Sequence, residues 1–175
     1  CRELDGTLMV LGSPLQRNLL PGVTLEKAHE YAAETLSYAL PALEETGVTI
    51  ALEPLGPSEG DFLLTAAEGV KLMQRVDSPW VRLHLDVKAM SSEPTPITDI
   101  IRAQRAHLHH FHANDPNRQG PGFGEVKFEP IMQTLEDIGY EGWVSVEVFD
   151  YSPGIERLAR ESIEYLKRCE PKKGK

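Results

Sequence analysis

"HLHHFHANDPNRQGPGFGEVKF" spans residues 107–128 and contains the strand, the loop and the start of the helix of one structural unit. Its first eight residues have the length and the Leu108 and Phe111 content of a short strand. The middle is a Gly- and Pro-rich loop, and a helical pattern begins near Phe128. Four histidines fall within six residues. Strand alternation puts His110 and His112 on one face and His107 and His109 on the other. A hydrogen-bonded bystander is the ordinary fate of a histidine. His112 stands apart because it lies at the C-terminal end of its strand.

The same strand-then-helix rhythm extends in both directions. Residues 7–12 form a short apolar run that ends in Gly, Ser and Pro. A helix follows from Thr24, a good N-cap with Lys27 at the third helical position, so the capping box is incomplete. Gly47 is its stop. Leu25, Ala28, Ala32, Leu36, Ala39, Leu40 and Leu43 keep helical spacing along it. The second unit is a strand over 48–55 and a helix over 65–76. The third is a strand over 81–87 and a short helix over 97–106. The fourth is the quoted stretch with a helix over 128–138. The fifth is a strand over 143–150 and a helix over 154–168.

Such alternation predicts a parallel sheet with right-handed crossovers, either doubly wound or closed as a barrel. No GxGxxG opens a helix after the first strand and no Walker A sequence occurs, so nucleotide-binding sheets lose ground. Polar residues close four successive strands: Glu53, Asp86, His112 and Glu147. A TIM (β/α)8 barrel places its active site at those ends. Five units fall short of eight. The chain also starts without Met and enters an apolar run almost at once. We read it as an α/β fold, the C-terminal five units of such a barrel, from the fourth strand to the eighth helix. It forms one domain over 1–175, with frayed ends at 1–6 and 169–175.

Composition narrows the function. Hydrophobic residues make up 41% and charged residues 26%, a globular balance. The net charge of -9 argues against nucleic-acid binding, which is driven by neutralising phosphates. No apolar run approaches the length of a membrane span. Two cysteines at opposite ends, Cys1 and Cys169, do not make a disulfide scaffold, and a reducing cytoplasm is the default.

Each polar strand end has a plain structural role when taken singly. Asp86 could be an N-cap or an Asx turn. Glu147 could be the outward residue of an alternating strand. Glu53 is a carboxylate in an apolar run, and carboxylates are seldom buried unpaired. Together they read differently. In a closed barrel the four ends converge, and three carboxylates with one imidazole are too negative to coexist unpaired. A divalent cation resolves this. The oxygen-rich set suits Mn²⁺, Mg²⁺ or Co²⁺, with Zn²⁺ also acceptable.

At these residues the chain resembles the xylose isomerase-like TIM-barrel family of sugar isomerases and epimerases. The likeness is greatest to the D-tagatose/D-psicose 3-epimerase and hydroxypyruvate isomerase branches. "LEPLGPSE" (52–59) looks like the segment with the first metal Glu, here Glu53, and a sugar-contacting Glu, here Glu59. "LDVKAM" (85–90) is similar to the segment with the metal Asp, here Asp86. The 110–128 stretch resembles a His-x-x-(Asp/Glu)-x-Asn-Arg loop followed by Pro-Gly-x-Gly. That implies His112 as ligand and Arg118 as a substrate-binding residue. "GYEGWVSVE" (139–147) looks like the last strand with its metal Glu, here Glu147. One departure stands out. The epimerase pattern places His three residues after the metal Asp, where this chain has Ala89, with Lys88 beside it. Lys88 is a candidate for an oxyanion or phosphate contact, or else a solvated loop lysine. Gln16 and Arg17, in the loop after the first strand, are further candidates for the mouth.

The resemblance implies a divalent-metal-dependent isomerase or epimerase of a sugar, sugar phosphate or ketoacid, acting by proton transfer through a metal-stabilised cis-enediolate. Glu53 and Glu147 would be the catalytic pair. The expected partner is a small sugar-derived molecule, with neither nucleic acid nor membrane. An unpaired sheet edge invites self-association into a homo-oligomer. Three rivals remain: an inosose-type dehydratase on the same barrel, an endonuclease IV-like phosphodiesterase, and a non-catalytic sugar- or metal-binding module.

Overall fold

The computed structural model describes residues 1–171. The expected frayed residues 172–175 lie outside that range. At the other end, Arg2–Leu4 form a 3-10 turn. Five parallel strands follow the chain in order: β1 (Leu8–Leu11), β2 (Thr49–Leu52), β3 (Val81–Asp86), β4 (Leu108–Ala113) and β5 (Val144–Val146). They form a curled half-barrel. Each crossover is helical: α1 (Leu25–Thr46), α2 (Ala66–Val76), α3 (Val87–Met90) with α4 (Ile97–Ala103), and α5 (Phe128–Asp137). The closing helix is α6 (Ile155–Cys169). All five expected strand–helix units are present, with strands shorter than the apolar runs suggested. The sequence pattern did not anticipate α3.

Local chemistry explains the helix ends. The Thr24 hydroxyl accepts from the Lys27 N–H at 3.2 Å, and Gly47 closes α1 in the left-handed conformation at φ 65°. Thr65 caps α2 in the same way through the Glu68 N–H. α1 continues through Pro41, which lies on its exposed side.

β3 shows how the sheet separates core from site. Val81, Leu83 and Leu85 alternate with Arg82, His84 and Asp86 along the strand. The first set is at most 1% exposed and joins the helical residues Val70, Met73, Ile100 and Ile101 in the core. Gly69 lets α2 approach closely, since a Cβ there would stand 2.8 Å from a Leu83 methyl. Phe111 of β4 pairs in register with Leu85 and is fully buried in the same layer. Each such side chain contributes about 1.5–3 kcal/mol by leaving water. The opposite face carries His84, Asp86, His110 and His112. Among the described residues, no helix is long and apolar enough to cross a membrane.

Candidate metal centre

The in-register parallel ladder aligns the strand ends. Glu53 follows β2, and its N–H donates to the Leu11 carbonyl at 3.1 Å. Asp86 ends β3 and pairs with His112 of β4. Glu147 follows β5, and its N–H donates to the Ala113 carbonyl at 3.2 Å. The four predicted residues therefore meet on the inner face. His112 Nδ1 is 3.3 Å from Glu147 Oε2, 3.6 Å from Glu53 Oε1 and 3.9 Å from Asp86 Oδ2.

That nitrogen is buried and makes no hydrogen bond, although three carboxylates crowd it. Ligand atoms around a divalent cation, with bonds of about 2.0–2.2 Å, stand roughly 3.0–3.5 Å apart. The oxygen-rich donor set and the unpartnered nitrogen fit one divalent ion, with Glu147 at ligand–ligand distance from that nitrogen and Glu53 and Asp86 slightly beyond it. Glu53, His84, Asp86 and His112 can each offer a ligand atom within 4.8 Å of the others.

Electrostatics without an ion show the strain of this convergence. Burial pushes the Asp86 carboxyl up to about 7, and the charges of Glu53 and Glu147 add to the push. The Ala89 N–H and the Asn114 amide oppose it. Burial disfavours the charged His112 imidazole, but Glu147 and Glu53 outweigh it and raise His112 to about 9. Burial also works against the Glu147 carboxylate, yet His112 holds it below the usual carboxylate range.

Asp86 fills the N-cap role considered for it. Its Oδ1 accepts the Ala89 N–H at 2.8 Å and caps α3, while its Oδ2 accepts from Asn114 Nδ2 at 2.5 Å. Ala89, at the family's His position, is thus a buried part of a cap.

Two important residues escape the sequence pattern. Asn114 is fully buried. Its amide donates to Asp86 and, at 3.3 Å, to Glu147, while its Oδ1 accepts the Lys88 N–H at 2.8 Å. His84 is also fully buried, with Nε2 3.5 Å from Glu53 Oε1 and its ring centroid 4.0 Å from that of His112. Burial, then the neighbouring His112 and His110, depress its basicity well below the usual range, so it stays neutral. The signal for both was alternation: His84 lies two residues before Asp86, and Asn114 two after His112. His110 lies on the same face, with Ser145 Oγ 3.2 Å from its Nε2. His109 lies on the other face and is exposed.

The rim carries the remaining candidates. Lys88 Nζ pairs with Glu59 Oε2 at 2.5 Å. Arg17 reaches inward and Nη1 donates to the Leu11 carbonyl at 3.2 Å, while Gln16 is exposed. Arg118 is placed by its loop. Asp115 is buried, and its Oδ2 accepts the Val126 N–H at 2.9 Å, which cinches the loop. Gly124 packs so tightly on that carboxylate that a Cβ would overlap it. Arg118 adopts the left-handed conformation at φ 71°, and its carbonyl accepts the N–H groups of Phe149 and Asp150.

Residues 1–169 match the xylose isomerase-like TIM barrel family. A probable ketose 3-epimerase of Synechocystis is 28% identical over 172 residues, covering 90% of this chain and 57% of that protein. The D-psicose 3-epimerase of Ruminiclostridium cellulolyticum is 35% identical over 120 residues, covering 69% of this chain and 41% of that protein. Among solved structures, a D-psicose 3-epimerase in the presence of D-fructose superposes with a TM-score of 0.85 at 25% identity, over 96% of this chain and 66% of that one. The D-psicose 3-epimerase from Clostridium cellulolyticum H10 with D-tagatose gives 0.83 at 28% identity, over 96% and 65%. The chain therefore spans about half the length of the curated relatives it matches. With the parallel units and the converging strand ends, these matches place the chain in the xylose isomerase-like TIM barrel family.

Proposed function

We propose that this chain carries the metal centre and acid–base pair of a sugar epimerase or isomerase. The observation that carries the reading is the meeting of Glu53, Asp86 and Glu147 around the unpartnered His112 Nδ1. The ketose 3-epimerases among its relatives, and a hydroxypyruvate isomerase of Escherichia coli at 25% identity, support it. Glu53, Asp86, His112 and Glu147 would hold the ion, with Mn²⁺, Mg²⁺ or Co²⁺ favoured by the donor set. The ion would act as a Lewis acid toward a substrate carbonyl.

The chain's own groups would move the protons. Glu147 is held ionised, as a base must be when it removes a proton from the carbon beside a carbonyl. Glu53 approaches from a different strand. Donation of a different proton by Glu53, which would enter the step as the carboxylic acid, from the opposite face would invert the centre and leave Glu147 protonated and Glu53 ionised. Return of the abstracted proton to the neighbouring carbon isomerises instead. Asn114 keeps Glu147 and Asp86 at a fixed separation. Glu59, Lys88 and Arg118 would contact the substrate.

Metal content and titration test this reading on wild type, His112→Ala and Glu147→Gln. About one Mn²⁺ per chain is expected in wild type, with loss in His112→Ala. Glu147→Gln should retain much of the metal and lose turnover on ketoses. Full activity in that variant would refute the proton-transfer assignment. One observation favours a second reading, a phosphodiesterase with several ions: His84, His110 and His112 could also share an ion. More than one tightly held ion per chain would favour it.

A further inference from the structure

His84 has no part in the reading above, yet it lies in the middle of the centre. It is fully buried on β3, two residues before Asp86, and neither ring nitrogen has a hydrogen-bond partner. Buried polar groups are nearly always satisfied, so an orphaned imidazole calls for a cause. Its position supplies one. Nε2 stands 3.5 Å from Glu53 Oε1, at the upper end of the separation expected of two ligand atoms on one ion and slightly nearer than His112 Nδ1 at 3.6 Å. The His84 ring is set steeply across that of His112, with an interplanar angle of 73°. Two imidazoles thus flank one carboxylate oxygen. Glu53, His84, Asp86 and His112 keep one ligand atom each within 4.8 Å of the others, and Glu147 does not belong to that set. His110 is placed differently. Its Nε2 meets Ser145 Oγ at 3.2 Å, and its ring centroid lies 5.3 Å from those of both His84 and His112.

Resting on the metal-site reading above, we propose that His84 is a further ligand to the same ion, bound through Nε2, and that it tilts the site toward Co²⁺ over Mg²⁺. A neutral imidazole keeps one nitrogen lone pair, the one a metal takes. Mg²⁺ prefers oxygen donors and near-ideal octahedral geometry, whereas later divalent metals accept imidazole readily. A second nitrogen therefore discriminates between ions that three carboxylates and one histidine would treat more alike. It also gives the ion four donors without Glu147, so that this carboxylate can carry a proton without releasing the ion.

The test counts the nitrogens on the ion. The chain is prepared with isotope-labelled histidine, loaded with Mn²⁺ and read by pulsed electron paramagnetic resonance. Co²⁺ and Mg²⁺ affinities are measured by competition with Mn²⁺. Wild type should show two directly bound imidazole nitrogens on a single ion. His84→Leu and His84→Gln should show one, and His110→Phe should keep two. His84→Leu should weaken Co²⁺ binding about tenfold or more while Mg²⁺ affinity changes less than about threefold. A single bound nitrogen on Mn²⁺-loaded wild type overturns the proposal alone, and that count needs no variant to fold. So do two nitrogens that persist in both His84 variants, or a second ion in wild type that binds through His84. Equal losses of Co²⁺ and Mg²⁺ affinity in His84→Leu overturn the discrimination. A wild-type chain that takes up no Mn²⁺ overturns the metal reading and this proposal together.

Discussion

Gly12→Ala should damage the site and spare the fold. Gly12 follows β1 and lies beside Glu53, because the register that pairs Leu11 with Leu52 continues one step further. A Cβ at Gly12 would stand 2.9 Å from the Glu53 Cδ and would overlap Oε2 outright. Relaxed carbon–carbon contact lies at about 3.5–4.0 Å, so the Glu53 Cδ must retreat by roughly 0.6–1.1 Å, and the overlapping Oε2 by more. A displacement of about 1 Å at a reacting group can cost on the order of a hundredfold in rate. The backbone at Gly12 is outside the left-handed region, so alanine is allowed there. Stiffening the unfolded chain would even return about 0.4–1 kcal/mol. The expected result is a melting temperature within a few degrees of wild type, Mn²⁺ affinity down at least tenfold, and kcat/KM on ketoses down about a hundredfold. Isothermal titration and thermal melting on the same preparation read both quantities. Wild-type Mn²⁺ affinity in a folded variant would refute the idea that the missing Cβ positions Glu53.

Metal binding should depend steeply on pH. An ion must displace the proton that His112 holds up to about pH 9 and, below about 7, the one on Asp86. Affinity should rise roughly a hundredfold between pH 7 and 9, then level off, and pH-independent titrations would contradict this. The metal-free fold should move the other way. His112 binds its proton more tightly folded than unfolded, so its contribution is complete below about 6.5 and vanishes as pH rises through about 9. That loss is on the order of 3 kcal/mol and should appear as a lower urea midpoint at pH 9.5 than at pH 7. Asn114→Leu should cost at least about 1–3 kcal/mol and weaken metal binding, since it strands the Lys88 N–H and removes donors to two carboxylates. An unchanged melting temperature in that variant would sink the bridging role.

Periodicity made the five units readable, because buried parallel strands and amphipathic helices leave different spacings. The convergence of the four strand ends was readable for a related reason. A polar residue that closes an apolar run in four successive units marks strand ends with a shared task. What escaped depends on distances across strands. His84 matters because a register shift beside Leu83 brings its ring against His112. Gly12 matters because a neighbouring strand sends a carboxylate into the space a Cβ would occupy. Asn114 reads as a loop polar residue until Asp86, Lys88 and Glu147 are seen around it. Lys88 illustrates a subtler case. Its identity was noticed, but its burial follows from the single turn of α3, which is too short to leave a periodic trace.

In the proposed set of Glu53, Asp86, His112 and Glu147, each donor comes from a different strand or strand end. An unfolded or half-assembled chain would have little with which to hold the ion. On the proposed reading the ion would favour the finished sheet, and at a concentration a hundred times its dissociation constant it would add about 2.7 kcal/mol to the folded state. These long-range contacts form late if local contacts form first. Metal uptake would then act as a clasp, fastening β2 through β5 after each has found its place and reporting by its stoichiometry how many molecules have done so.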